Sequence, residues 1–338
     1  MKKNKTNFYL SWAILIISAV VLVVLLSNGF SGIVLAEDNQ IVFTFNDLPV
    51  LGPLGFWRPR EISNLILRTF DDYGIKVAGF IVEEKVDDDP TTYVVLQDWA
   101  ERGHVLGNQT YADVDLNEMK ASDFLHHLTD GQNYLRRITR AYSLDYRYFR
   151  YPFLHQGNTK RKRKRVAKAL YRNGYDVAHV TVKTSDYRFN PIYIEHEQNH
   201  EKIAQLKSVY LDHIGQALDY AESQSRKVFK RNIKHILWLH CGVATAHFLE
   251  DLIKMLERRG YGFITLQEAL SDEVFQAKEE YVGPEALSFI DRVAASRNLS
   301  FDPRSGELSK EDQVLELCRS LLEQIPTPLN MNKLMKIP

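Results

Sequence analysis

Cysteine is scarce in this chain: Cys241 and Cys318 are the only two among 338 residues. Two thiols cannot build a disulfide scaffold, and their spacing does not say whether they pair. A charge imbalance is also missing, with 43 Lys and Arg against 43 Asp and Glu. Three of those cations, Lys2, Lys3 and Lys5, sit at the extreme N-terminus, leaving 40 against 43 elsewhere. That balance gives no electrostatic footing for nucleic-acid binding. Nothing in the composition suggests disorder, because 45% hydrophobic and 25% charged residues can bury one large core or two modest ones.

What is present first is a long apolar segment. After Lys5 no charged residue occurs until Glu37, and Trp12 to Leu26 is apolar apart from Ser18. Residues 1–36 therefore read as a signal peptide or an N-terminal membrane anchor. Val34-x-Ala36 supplies a small-residue cleavage site, while the run is also long enough to span a bilayer; both readings place the remainder outside the cytoplasm.

From residue 41 short apolar runs alternate with helical periodicity. Strands are expected at 41–45, 76–82, 146–149, 176–182, 235–240 and 262–265. Helices are expected at 59–73, 92–102, 121–141, 160–173, 196–230 and 246–259, with Gly74, Gly103, Gly174 and Gly260 closing four of them. Such β-α alternation predicts an α/β fold with a parallel sheet and outer helices, either a barrel or a doubly wound layer.

Several segments fall at the carboxyl ends of these strands, where loops of parallel β/α folds converge. They are Thr44-Phe-Asn-Asp-Leu-Pro49, Phe149-Arg-Tyr-Pro-Phe153, Asp186-Tyr187 and Leu239-His240; Gly103-His-Val-Leu-Gly-Asn-Gln-Thr-Tyr-Ala-Asp113 lies between the first two, and Gly260 to Leu270 follows the last. In this order they resemble the polysaccharide deacetylase family, the NodB-homology domain of carbohydrate esterase family 4. The resemblance implies a distorted, incomplete (β/α)7 barrel in a domain over residues 40–283, and leaves outside it a C-terminal helical extension and tail expected over 284–338. It also implies a hydrolase acting on the C–N amide bond of N-acetylated sugars, and a divalent metal cofactor, zinc or similar.

By the same resemblance, the catalytic base falls at Asn46, the acid at His240, and the group that steadies the base at Arg150. The metal positions are Asp47, Gln109 and Asp113. Substrate contacts map to Tyr151, Phe153, Asp186, Tyr187 and Leu239. Three positions have changed type. An Asn amide accepts no proton near neutral pH, which costs a general base's roughly 10²- to 10⁴-fold. Gln109 and Asp113 stand where the family has two imidazoles, the donors that suit zinc. The expectation is a family member acting on N-acetylated or cell-envelope glycan, with impaired or lost chemistry; the alternative is a non-catalytic glycan binder on the same barrel. Arg150, freed of its carboxylate, is expected to turn to Asp47, Asp113 or a substrate oxygen. His104 and His155, in neighbouring segments, are candidate replacement ligands.

Two further motifs need separate treatment. His196-Glu-Gln-Asn-His200 matches the zinc-protease pattern, yet it follows Pro191 among charged residues and reads as a solvated helix end. Lys160 to Arg165 is a run of six cations at a helix start. It reads either as a hydrated surface or as a contact for an anionic polymer or lipid headgroup.

Overall fold

The computed structural model describes residues 39–306 other than Tyr146. The apolar N-terminal segment, Cys318 and the chain beyond residue 306 lie outside the described residues. Among the described residues, no helix is long and apolar enough to cross a membrane.

Strand β1, Asn39–Leu48, is buried over its last eight residues, as expected of a strand covered on both faces. Six shorter strands join it: β2 (Ala78–Ile81), β3 (Val105–Asn108), β4 (Tyr148–Phe149), β5 (Asp176–Val177), β6 (His235–His240) and β7 (Tyr261–Phe263). All pairings are parallel, in the order β5-β4-β3-β2-β1-β6, with β7 beside the start of β1. The expected strand at 176–182 is split. Its first residues pair with β4, whereas Val182 bridges to Leu237 of β6. Val182 N–H donates to Ile236 O at 3.1 Å, and Trp238 N–H to Val182 O at 3.0 Å. This one segment thus spans the seam between the sheet's two ends, curling it into an incomplete barrel.

Alternation along the strands sorts the side chains. Ile41, Phe43 and Phe45 pack outward against helices, while Val42, Ala78, Phe80, Tyr148 and Ile236 form an inner cluster. Register sets Val42, Thr44 and Asn46 level with Ile236, Trp238 and His240. The interior is therefore apolar at its base and polar towards the carboxyl edge.

The connecting helices are α1 (Pro59–Tyr73), α2 (Glu84–Asp88), α3 (Tyr93–Glu101), α4 (Ala121–Asp130), α5 (Asn133–Ala141), α6 (Lys160–Arg172), α7 (Phe189–His196), α8 (His200–Phe229) and α9 (Val243–Arg258); α10 (Leu266–Leu270) and α11 (Phe289–Ser296) follow β7. Gly74, Gly103, Gly174 and Gly260 adopt positive φ just beyond α1, α3, α6 and α9, the conformation that a helix stop favours. The single helix expected at 121–141 breaks at Gly131-Gln132, where a Cβ on Gly131 would lie 2.6 Å from the Thr110 backbone. The helix expected at 196–230 likewise breaks: α7 ends at His196, and Asn199 caps α8 by accepting from Lys202 N–H at 3.1 Å. His196 and His200 thus belong to different helices, and the zinc-protease spacing has no common helical face.

Residues after β7 pack into the same core. Phe289, Ile290 and Val293 are buried in it, and Phe289 N–H donates to Val180 O at 2.7 Å on the barrel seam.

Candidate functional site

Strand β1 leaves the barrel through Asn46 and Asp47, and a register shift between Phe45 and Leu48 marks the exit. Asp47 has φ 65°, a left-handed conformation that Asp tolerates better than most residues. Strand β3 ends just before Gln109. Its loop carries Thr110 at φ 71° and Asp113 at φ 48°, so three non-glycine residues of one rim sit in the left-handed region.

These two exits meet. Gln109 Nε2 donates to Asp47 Oδ1 at 2.9 Å and to Asp113 Oδ1 at 2.8 Å. Gln109 Oε1 accepts from the Asp47 backbone N–H at 3.1 Å. The amide orientation is dictated by its partners: exchanging its O and N would set oxygen against two carboxylates and nitrogen against an N–H. The NH₂ group therefore bridges the two carboxylates, in the place a cation between them would take. Lys85, at the start of α2, adds positive charge, its Nζ lying 3.8 Å from Asp47 Oδ1 and 3.4 Å from Asp47 O. Burial and the neighbouring Asp47 charge push the Asp113 carboxyl up to about 7.

This donor set does not fit the zinc or similar ion that the family implies. The coordinating atom of Gln109 is turned towards a backbone N–H, and its donor end fills the space between the carboxylates. Among the described residues, no group of three His, Cys, Asp or Glu side chains is placed to hold a metal. His104 and His155 do not repair the deficit. His104 is fully buried beside Trp99, with Nδ1 accepting from Val77 N–H at 3.3 Å, and burial lowers its pKa to about 4. His155 is held by Asp115 at 2.8 Å.

Asn46 is 1% exposed and its Oδ1 accepts from Arg150 Nη1 at 3.2 Å. Arg150 Nη2 donates to Thr44 Oγ1 at 3.0 Å, and the guanidinium carbon lies 4.5 Å from the Phe80 ring centroid. The expectation that Arg150 turns to Asp47 or Asp113 is corrected here. It stays inside the barrel at 1% exposure, and burial lowers its pKa to about 9.

The opposite wall retains a complete dyad. His240 Nδ1 lies 2.7 Å from Asp186 Oδ1, and Asp186 Oδ2 accepts from His240 N–H at 2.8 Å and from Thr245 Oγ1 at 2.9 Å. Burial works against His240 protonation, but the charge and hydrogen bond of Asp186, with Asp47 and Asp113 behind them, raise its pKa. Tyr187 packs edge-on against His240 at 5.1 Å between centroids and stays half-exposed.

Two expected substrate contacts are elsewhere. Tyr151 is 4% exposed and stacked on Phe124 in a core cluster, so its ring faces are covered. Leu239 is fully buried on the outward, helix-facing side of β6. Phe153 is half-buried, with its ring 6.3 Å from His155. Lys85 and Thr245 were not legible as site residues, since nothing in their local sequence distinguishes them; Thr44 opens a family-like segment, but its bond to Arg150 was not foreseen. Phe56 was also missed; it stands 95% exposed on the loop leaving β1.

Residues 35–178 match the family described as polysaccharide deacetylase. That stretch contains Asn46, Asp47, Gln109, Asp113 and Arg150 and stops short of Asp186 and His240. Similar solved structures include a wild-type CE4 family pseudoenzyme from Bacillus anthracis, 16% identical with TM-score 0.47, covering 70% of this chain and 66% of that one. Others are a peptidoglycan deacetylase from Bacillus subtilis (19%, TM-score 0.44, 69% and 92% covered) and a polysaccharide deacetylase from Bacillus cereus (15%, TM-score 0.46, 67% and 91% covered). Among curated proteins, none matches the chain.

Proposed function

We propose that this chain, whose residues 35–178 match the polysaccharide deacetylase family, is a divergent member that binds N-acetylated glycan outside the cytoplasm and has lost most or all deacetylase chemistry. The observation that carries this reading is the Gln109 amide bridging Asp47 and Asp113 at 2.9 and 2.8 Å. A neutral donor between two carboxylates satisfies them without an ion, so the family's Lewis acid has lost its seat. The base position supports the same reading. Asn46 has no basic atom, and its oxygen is taken by Arg150.

What remains suits recognition. His240 presents Nε2 from a ring anchored by Asp186, and Tyr187 offers a half-exposed ring beside it. Asp47, Asp113 and Lys85 supply charged partners for sugar hydroxyls. The apolar segment within residues 1–36, as secretion signal or anchor, would deliver the domain to the cell envelope.

Isothermal titration of the chain with N-acetylglucosamine oligomers tests this. Binding should weaken at least fivefold in Tyr187→Ala, while acetate release stays at background with zinc or calcium added. Rapid acetate release that depends on Asp47, or affinity untouched by Tyr187→Ala, would overturn it.

A further inference from the structure

Helix α6 carries more positive charge than its fold requires. Of its first six residues, all cations, two are consumed by packing: Lys162 Nζ donates to Leu116 O and Asn117 O at 3.1 and 2.7 Å, and Arg163 pairs with Glu279 at 2.7 Å. Lys160, Arg161, Lys164 and Arg165 are exposed, as are Lys168 and Arg172 further along. At 3.6 residues per turn these six side chains fall within an arc of about 140°. Val166 and Leu170, both buried, lie on the other side. The arc contains no acid, and none of the six forms an ion pair among the described residues. Glu279 is engaged by Arg163 and Arg292, and Glu280 by Lys278.

This arrangement works against the helix. Lys160–Lys164, Arg161–Arg165, Lys164–Lys168 and Lys168–Arg172 are like-charge pairs at four-residue spacing, each destabilising by roughly 0.2–0.5 kcal/mol. The first turn holds no acidic residue to offset cations at the positive end of the helix. None of the six exposed cations gains an ion pair among the described residues that would offset that cost.

We propose that this face of α6 docks a linear acidic polysaccharide carrying carboxylates along its length. Lys160, Lys164 and Lys168 form a row with one charge about every 6 Å over a helix about 18 Å long. A flexible polyanion can follow such a row, and the counterions it releases favour binding. A bilayer is the weaker match, because membrane-docking faces combine cations with apolar side chains that insert. The large exposed hydrophobics among the described residues are Phe56 and Tyr171, and only Tyr171 lies on this helix, 83% exposed within the basic arc. The row begins at the carboxyl rim of the barrel, where Lys162 holds the loop that follows Asp113. Only the choice of a carbohydrate polymer over other polyanions rests on the glycan-binding reading; the row itself stands without it.

The test immobilises the full chain in neutral detergent and measures binding of polygalacturonate, fully methyl-esterified polygalacturonate and phosphatidylglycerol vesicles. Polygalacturonate should bind, the uncharged ester should not, and affinity should fall steeply with salt. Lys160→Gln/Lys164→Gln/Lys168→Gln should weaken binding at least tenfold and reduce the log–log salt slope by roughly two. The control Lys202→Gln/Lys207→Gln/Lys254→Gln, on other helices, should change it less than twofold. All three side chains of the row are exposed, so an unchanged circular dichroism spectrum is expected in the variant. Equal binding of the ester, equal loss in both triple variants, or capture of vesicles but not polymer would overturn the proposal. Titration with neutral N-acetylglucosamine oligomers separates the two readings: the row variant should leave it unchanged, and its failure alongside intact polygalacturonate binding would remove only the pocket reading.

Discussion

Arg150 is a guanidinium at 1% exposure whose partners are an amide oxygen and a hydroxyl, with no carboxylate in contact among the described residues. A buried cation without a counter-charge is costly. Asn46→Asp would supply one at the 3.2 Å contact that the amide now makes, exchanging a neutral acceptor for a charged one, worth about 1–3 kcal/mol. Urea unfolding at pH 7 should show a higher midpoint for Asn46→Asp. The gain should shrink as pH falls below about 4, the unfolded value, and be lost once the new carboxylate is protonated in the folded state as well. An unchanged midpoint at pH 7 would mean that Arg150 is already compensated. The metal positions allow a separate check. Gln109→His with Asp113→His removes the amide bridge and gives Asp47 two imidazole neighbours, so the purified variant should carry about one equivalent of zinc by elemental analysis, against well below that in the parent. These substitutions were visible as residue types in the sequence. That the amide nitrogen, and not its oxygen, faces the carboxylates was not, because the choice is made by the Asp47 backbone N–H, 62 residues away.

At the scale of elements, α5 is started by a residue outside it. Glu83, 1% exposed, accepts from Asn133 N–H and Leu135 N–H at 2.9 Å each, so a carboxylate after β2 caps a helix fifty residues on. Burial outweighs those bonds and raises its pKa from 4.5 to about 7. An acid raised on folding holds more protons in the folded state than in the unfolded one across that window. Its contribution to stability is therefore present below about pH 4.5 and lost as pH rises through 7, by about 1–3 kcal/mol. Glu83→Gln should be less stable overall, because its NH₂ group replaces one acceptor. Its unfolding free energy should nevertheless fall less steeply than the parent's between pH 4.5 and 7. An equal slope would show that Asp113, raised in the same direction, dominates this range. Long-range capping of this kind also explains which elements were legible. Strands β1, β2 and β6 announced themselves as apolar runs because helices or the barrel interior cover both faces. Strand β3 did not: it reads Val-Leu-Gly-Asn, and Gly107 is required because a Cβ there would lie 2.6 Å from Phe80. The run at 176–182 looked like one strand, but it serves two edges of a seam, which no local pattern encodes.

For the whole molecule, a domain boundary was expected at residue 283, and the packing bears on what such a cut would do. Phe289 is 1% exposed in the main core, its ring 4.7 Å from His179 and 5.0 Å from Phe275. Arg292, 3% exposed, joins Glu279 at 3.2 Å and lies 3.0 Å from His179 Nδ1, next to β5. Lys183 Nζ donates to Ala286 O at 2.9 Å and to Pro303 O at 3.3 Å, and Ser185 Oγ donates to Gly306 O at 3.0 Å, one residue before the Asp186 that holds His240. The segment from 284 to 306 thus braces the seam that the Val182–Leu237 bridge closes, and it bonds to the residue preceding Asp186, which holds His240. Phe289→Ala alone should cost about 3–5 kcal/mol, the usual penalty for emptying a buried aromatic site. Ending the chain at Gly283 removes that side chain together with the bonds to Val180, Lys183 and Ser185. The truncated chain should lose cooperative thermal unfolding and become protease-sensitive around residues 178–186. A shortened chain that melts sharply, within a few degrees of the full one, would instead show that the barrel closes its seam unaided and that 284–306 is an accessory layer.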